Sequence, residues 1–415
     1  MKRNYTIVAL ILITFFVISF LSNILGALNP SVSESFGLSE TMAGFLPFSF
    51  FIAYGVMSIP AGFLVEKFGE KKLIIFAFLL ALFGSLLFAH FPTFSVFIFT
   101  LFTIGSGMAV LQVVINPLLR VAGGEENYAF TSVLAQLIFG AASFVSPQIY
   151  SWLVTNIDKD LGTKSGFINI VSEFVPADMS WVSIYWVFAI ASLLMILLVL
   201  AVAFPKVELN ENEKLGSKES FVVLFKNKLV ILYFFGIFAY VGAEQGISYW
   251  MSKFLQVNHG YDFETAGANA VGNFWGLMTL GGILGLLLLK LLDSKLVLRL
   301  FTILAIISFS LALFGGRNTS LYAFQASGFF LSVMYPIIIS LALNSVSKHH
   351  GSFAGILMTG IMGGAVVQLL IGMLSDVTSL KTGILLVFVA LAYIFSLSFW
   401  AKPIIKNKVI NLKKK

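Results

Sequence analysis

The chain contains no cysteine, which excludes disulfides and thiolate metal sites and leaves the redox compartment unmarked. Histidine is nearly as scarce. The four present, His90, His259, His349 and His350, fall in or beside predicted loops, so neither a buried histidine relay nor a histidine metal cluster is expected. Charge is the third deficit: Asp, Glu, Lys and Arg make up 11% of the residues, against about 25% in a soluble domain. There is no P-loop or other phosphate cradle, because the Gly-rich stretches lie inside apolar runs, which argues against a pump driven by ATP.

What fills the chain instead is apolar: 59% of its 415 residues are hydrophobic and 44 are phenylalanine. A helix crossing about 30 Å of hydrocarbon needs about 20 such residues. Twelve runs qualify, at 5–29, 42–65, 72–91, 93–119, 128–154, 180–204, 229–256, 264–292, 296–314, 318–346, 350–375 and 380–402. The first holds polar Asn23 and is followed by no small-residue cleavage pattern, so it reads as a span and not as a signal peptide. The fold expected is an all-α membrane protein of twelve transmembrane helices.

The net charge of +7 is a matter of topology. With both termini cytoplasmic, all but five of the 26 Lys and Arg (Lys159, Lys164, Lys253, Arg317 and Lys381) lie on the inner side, as the positive-inside rule requires. No basic, aromatic-lined groove points to nucleic acid. The longest inner connection, at 206–220, mixes both charge signs at the midpoint of the chain. It divides the sequence into a first six-helix bundle at 1–204, a linker at 205–228 and a second bundle with a basic tail at 229–415. The run F-V-V-L-F-K-N-K at 221–228 suits a short interfacial turn. The outer segment 155–179 receives no function.

The third, sixth, ninth and twelfth runs have no Asn, Gln, Asp or Glu in their interiors, whereas every other run except the second has at least one. Polar groups in lipid need partners, so those four helices are expected to form the lipid-facing scaffold and the rest to line an interior. The halves also echo one another. Asn116-Pro117 and Tyr335-Pro336 occupy matching spans, each with a Ser-Gly pair upstream, and G-A-A-S-F-V-S-P-Q at 140–148 matches G-G-A-V-V-Q-L-L-I at 363–371. Repeated halves with interrupted helices mark a secondary transporter.

G-F-L-V-E-K-F-G-E-K-K, from Gly62 to Lys72, resembles the conformational signature of the major facilitator superfamily. Gly62, Leu64, Lys67, Gly69, Lys71 and Lys72 match, and Glu66 replaces the usual Asp. K-L-L-D-S-K at 290–295 is a degenerate second copy. Within the superfamily, L-Q-V-V-I-N-P at 111–117, Y-V-G-A-E at 240–244, Y-P-I-I-I-S-L at 335–341 and I-G-M-L-S-D ending at Asp376 resemble the fucose–galactose–glucose:proton symporter family. The resemblance implies two pseudo-symmetric six-helix bundles and a central sugar site. It also exposes two departures. The fucose-transporting pattern has an aspartate four residues before Pro30, where this chain has Gly26, and a glutamate five residues before Pro117, where it has Gln112.

That leaves Glu244, the only acid well inside an apolar run. A charge at a helix centre costs about 2.5–3.5 kcal/mol on insertion scales, so such groups usually face a cavity or a partner. Tyr240, Glu244, Ser248 and Ser252 recur every four residues, with Gln245 and Tyr249 alongside, giving one polar stripe. Amides provide both donors and acceptors for hydroxyls, and those expected to touch a sugar are Asn23, Gln112, Asn116, Gln136, Asn269, Asn273 and Gln368. The bland alternative for each is interhelical bonding, worth on average about 0.6 kcal/mol per pair. Among aromatics, Trp275 and Tyr335 are favoured for stacking on a sugar's apolar face. Lys253, near the outer end of its run, can snorkel and is given no site role.

The chain is therefore expected to be a monomeric importer of a small neutral sugar or polyol in the lipid bilayer of the inner membrane, working by alternating access. It needs no cofactor, and its coupling ion is H⁺ through Glu244, with Na⁺ second and uncoupled transport third. A drug or organic-anion facilitator is the rival of the same fold, and a sugar sensor that no longer transports is the rival of another class.

Overall fold

The computed structural model describes residues 4–123, 128–157, 166–176, 178–204, 218–346 and 350–404. Most of the expected linker, the basic tail past Ile404 and the side chains of Glu66 and Arg120 lie outside the described residues. Among the described residues, twelve helices are long and apolar enough to cross a membrane. In chain order they are α1 (Tyr5–Phe36), α2 (Glu40–Val65), α3 (Glu70–His90), α4 (Phe94–Gly123), α5 (Thr131–Ile157), α6 (Ser180–Ala201), α7 (Lys228–His259), α8 (Phe263–Leu291), α9 (Ser294–Phe314), α10 (Arg317–Leu343), α11 (Gly351–Val377) and α12 (Leu380–Trp400). Two short helices, Gly166–Glu173 and Lys218–Phe225, precede α6 and α7.

Polar residues at the run ends stop and start these helices. Ser39, Asn227, Asp262, Asp293 and Ser379 each accept a hydrogen bond from a backbone N–H of the turn they precede, satisfying donors that have no partner within the helix. Gly37 and Gly260 close α1 and α7 at φ +59° and +63°, a left-handed conformation that suits glycine.

The first helix differs from its expected 5–29 range by reaching Phe36. Pro30 sits within its second segment, Leu25–Phe36, and the break falls earlier, at Asn23 and Ile24. A proline removes one backbone donor, but the neighbouring α7 packs against this segment and carries it on past the expected end. Pro117 likewise lies inside an uninterrupted α4, whereas α10 breaks at Ser332 and Val333, just ahead of Pro336.

α3 and α6 pack within the first half, and α9 and α12 within the second. They expose large apolar side chains such as Phe83, Leu194, Leu300 and Phe399, the surface that lipid covers. The halves meet instead through α1 with α7, α2 with α11, and α5 with α8.

Candidate functional site

Glu244 sits on α7 between Gly242 and Gly246. A Cβ at Gly242 would run into Val367 of α11 at 2.5 Å, and one at Gly246 into Val387 of α12 at 2.7 Å. The two glycines therefore let α7 lie close against its own half, while Glu244 is left only half-buried. One turn earlier, the Tyr240 hydroxyl donates to Glu244 Oε1 at 2.6 Å. The Tyr240 ring lies 5.7 Å from that of Tyr335, which is near Glu244 and, across the two halves, near Tyr54. Tyr54 in turn receives the Gln112 amide at 3.4 Å. Glu244, Tyr240 and Tyr335 of the second half thus lie across the contact between the halves from Tyr54 and Gln112 of the first.

The remaining expected contacts divide into two groups. Asn116, whose Nδ2 donates to the Gln112 carbonyl at 2.9 Å, and Gln136 are exposed on the halves of α4 and α5 nearest the Lys-rich turns. Asn269 is half-buried near the start of α8. The others are bound into helix packing. Asn23 donates to Ser143 at 2.8 Å, joining α1 to α5 beside the α1 break. Asn273 donates to Gln325 of α10 at 3.3 Å. Gln368 donates to the Gly242 carbonyl at 3.2 Å. Gln245 and Trp275 are buried, and the Trp275 ring packs edge-on against Phe274. Tyr249 is buried, its hydroxyl donating 2.5 Å to the Ala43 carbonyl of α2.

That last contact belongs to a seam which the sequence reading missed. It closes the side opposite the Lys-rich turns. Lys253 is buried between the halves, where its Nζ lies 2.8 Å from Glu40 Oε2 and donates to Ser33 at 3.2 Å. The expectation that it snorkels is therefore corrected: a carboxylate at the start of α2 meets it inside the protein, and the ammonium has no need to reach water. Asn29 donates to the Tyr249 carbonyl and Gln256 to Glu34. Asp376 of α11 accepts from the backbone N–H groups of Glu40 at 2.7 Å and Thr41 at 2.9 Å. Gly26 fits against the backbone of Ser248 so closely that a Cβ would clash with its carbonyl oxygen. On the opposite side, nearest the Lys-rich turns, Asn116 and Gln136 are exposed. The residues of the seam are separated by up to 336 positions, and only the acids flanking the spans hinted at it.

Residues 10–367 match the family model described as Major Facilitator Superfamily. The chain belongs to the major facilitator superfamily. It is 28% identical over 385 residues to a glucose/galactose transporter of Brucella abortus biovar 1 (strain 9-941), covering 92% of this chain and 90% of that one. Over 393 residues it is 26% identical to the L-fucose-proton symporter of Escherichia coli (strain K12), covering 90% and 88%. Among solved structures, the Escherichia coli fucose:proton symporter superimposes with a TM-score of 0.69 at 23% identity over 95% of this chain and 98% of that one. A bacterial homologue of the human lysosomal transporter Spinster, in its inward-facing and unoccupied conformation, gives 0.77 at 13% identity over 96% and 98%. These structures establish a shared fold, and the proteins matched are transporters, not enzymes.

The superfamily signature lies at the α2–α3 turn. Gly69 adopts φ +81°, a conformation open to glycine, and Gly62 is buried. The Lys71 ammonium donates to the last carbonyls of α6, Leu200 at 3.0 Å and Val202 at 2.8 Å. Lys67 stands over the Phe68 ring, and Lys72 is exposed. The second copy is degenerate in sequence but keeps this bond: Lys295 donates to Phe399 at 3.3 Å and Ala401 at 2.9 Å at the end of α12.

Proposed function

We propose that the protein is a sugar transporter that imports a small neutral hexose, deoxyhexose or polyol by alternating access, with a cation carried on Glu244. The observation that carries this reading is a half-buried Glu244 bonded to Tyr240 where the halves meet, with the uncharged Gln112 amide and Tyr54 hydroxyl on the facing half. Amides and hydroxyls recognise sugar hydroxyls without a fixed charge, and a single carboxyl suffices to take up and release H⁺, or to hold Na⁺, as the site alternates between its two openings. Relatives named as glucose/galactose transporters and as L-fucose-proton symporters support the substrate class. The Lys253 buried between the halves is already paired with Glu40, so it is not left free for an organic anion.

The Lys and Arg distribution supports a bacterial inner membrane location with both termini cytoplasmic. On this reading the arrangement seen is sealed to the outside and open inward. The division into bundles at 1–204 and 229–415, and a monomeric working unit, belong to the same proposal.

Uptake into proteoliposomes tests it. Glu244→Gln should abolish accumulation against a gradient, under an imposed pH or Na⁺ gradient, while sugar exchange survives. Accumulation with unchanged ion dependence in that variant would rule out the coupling role.

A further inference from the structure

Beside the α8–α9 turn, a cleft of about 420 Å³ opens between the start of α9 and the end of α12, lined by Asp293, Ser294, Lys295, Leu296, Arg299, Ala401, Lys402 and Pro403. Three cations face one carboxylate there, and that carboxylate is engaged: Asp293 Oδ1 accepts from the Lys295 N–H at 2.9 Å and caps α9. Arg299 is held flat, its Cζ 4.1 Å from the Phe399 ring centroid. Its Nε lies 3.4 Å from Ser398 Oγ. Of the five donors of a guanidinium, only that one is engaged among the described residues. Below the cleft runs an exposed apolar rail of Leu296, Leu300, Leu304 and Phe399.

The first half provides an internal comparison. Lys71 repeats the helix-closing bond of Lys295, but the residue four after it is Ile75 where Arg299 follows Lys295, and the residue after Val202 is Ala203 where Lys402 follows Ala401. Closing the helix therefore needs only the lysine. Arg299 and Lys402 are additions that this bond does not explain.

We propose that the cleft binds the phosphate of an anionic phospholipid, whose acyl chains lie along the Leu296–Leu300–Leu304 rail. A planar guanidinium with free N–H groups matches a phosphodiester, and basic pockets between helix ends at the headgroup level recognise acidic lipids. Because the rail is already lipid-facing surface that runs up to the cleft, a phospholipid lying on it brings its phosphate to these cations, which is why the lipid is favoured over a soluble phosphate.

The test is native mass spectrometry of the full chain, delipidated in neutral detergent and titrated with phosphatidylglycerol or phosphatidylcholine. The wild type should favour phosphatidylglycerol by roughly tenfold or more, and Arg299→Ile with Lys402→Ala should remove that preference while the melting temperature holds. Equal preference in wild type and variant would overturn the site. If the double variant does not fold, the wild type decides: the site stands if excess glycerol phosphate fails to displace the lipid, and the lipid assignment falls to a soluble anion if it displaces it at equal concentration.

Discussion

The bond from Tyr240 to Glu244 gives the proposed ion carrier a partner on its own helix, one turn away. A hydrogen bond to a charged group contributes about 1.5–3 kcal/mol. Tyr240→Phe should therefore lower ion-driven accumulation by roughly tenfold or more while leaving exchange less affected, a split measurable by comparing uptake with counterflow. Gln112 and Asn116 are proposed to act on the sugar instead. Alanine at either should raise the KM for uptake with protein levels in the membrane unchanged, and equal KM values would remove both from the site. Glu244 and these amides were legible in the sequence because a polar group amid apolar residues stands out by itself. Tyr54 and Tyr240 were not assigned contacts, since a tyrosine in a membrane helix packs or anchors far more often than it binds, and only the distance to Gln112 or Glu244 separates the cases. Asn23 and Gln368 show the reverse: each amide was visible, but its interhelical partner 120 or more positions away was not.

At the scale of the helices, the seam explains the departure at Gly26. Where the related pattern has an aspartate, this chain brings α1 into backbone contact with α7 at Ser248, an approach that any side chain would block. Gly26→Ala should hinder closure of the outer side and slow turnover. The absence of native cysteines makes this measurable: a single Ser33→Cys should react faster with an impermeant thiol reagent in the Gly26→Ala background than in the parent. The Lys253–Glu40 pair makes a second case. Removing one member of a buried pair typically costs about 3–5 kcal/mol because the other charge is left uncompensated. Lys253→Met should lower the melting temperature, and adding Glu40→Gln should restore much of it; an additive loss would mean that the two do not act as a pair. Helix number and most boundaries followed from run length and capping residues, because each is a local property. The continuation past Pro30 was not legible, since propensity ends a helix there and tertiary packing against α7 overrides it.

For the molecule as a whole, the sequence disclosed two related halves through spacing and composition, and the signature turn kept its architecture in both. Lys71 and Lys295 each close the last helix of their own half, although the second motif is degenerate as a string. What spacing could not disclose is which side is shut, because a transporter's sequence must accommodate every state of its cycle and the contacts of one state leave no periodic trace. The seam contains one feature with a practical use. Asp376, on α11, caps the first turn of α2, so the two amides it holds are protected by the opposite half of the protein. When the outer side opens, those N–H groups lose their acceptor and meet water. Hydrogen–deuterium exchange at Glu40 and Thr41 would then rise under conditions that favour the outward state and fall when the inward state is favoured, making two backbone protons a label-free reporter of the transport cycle.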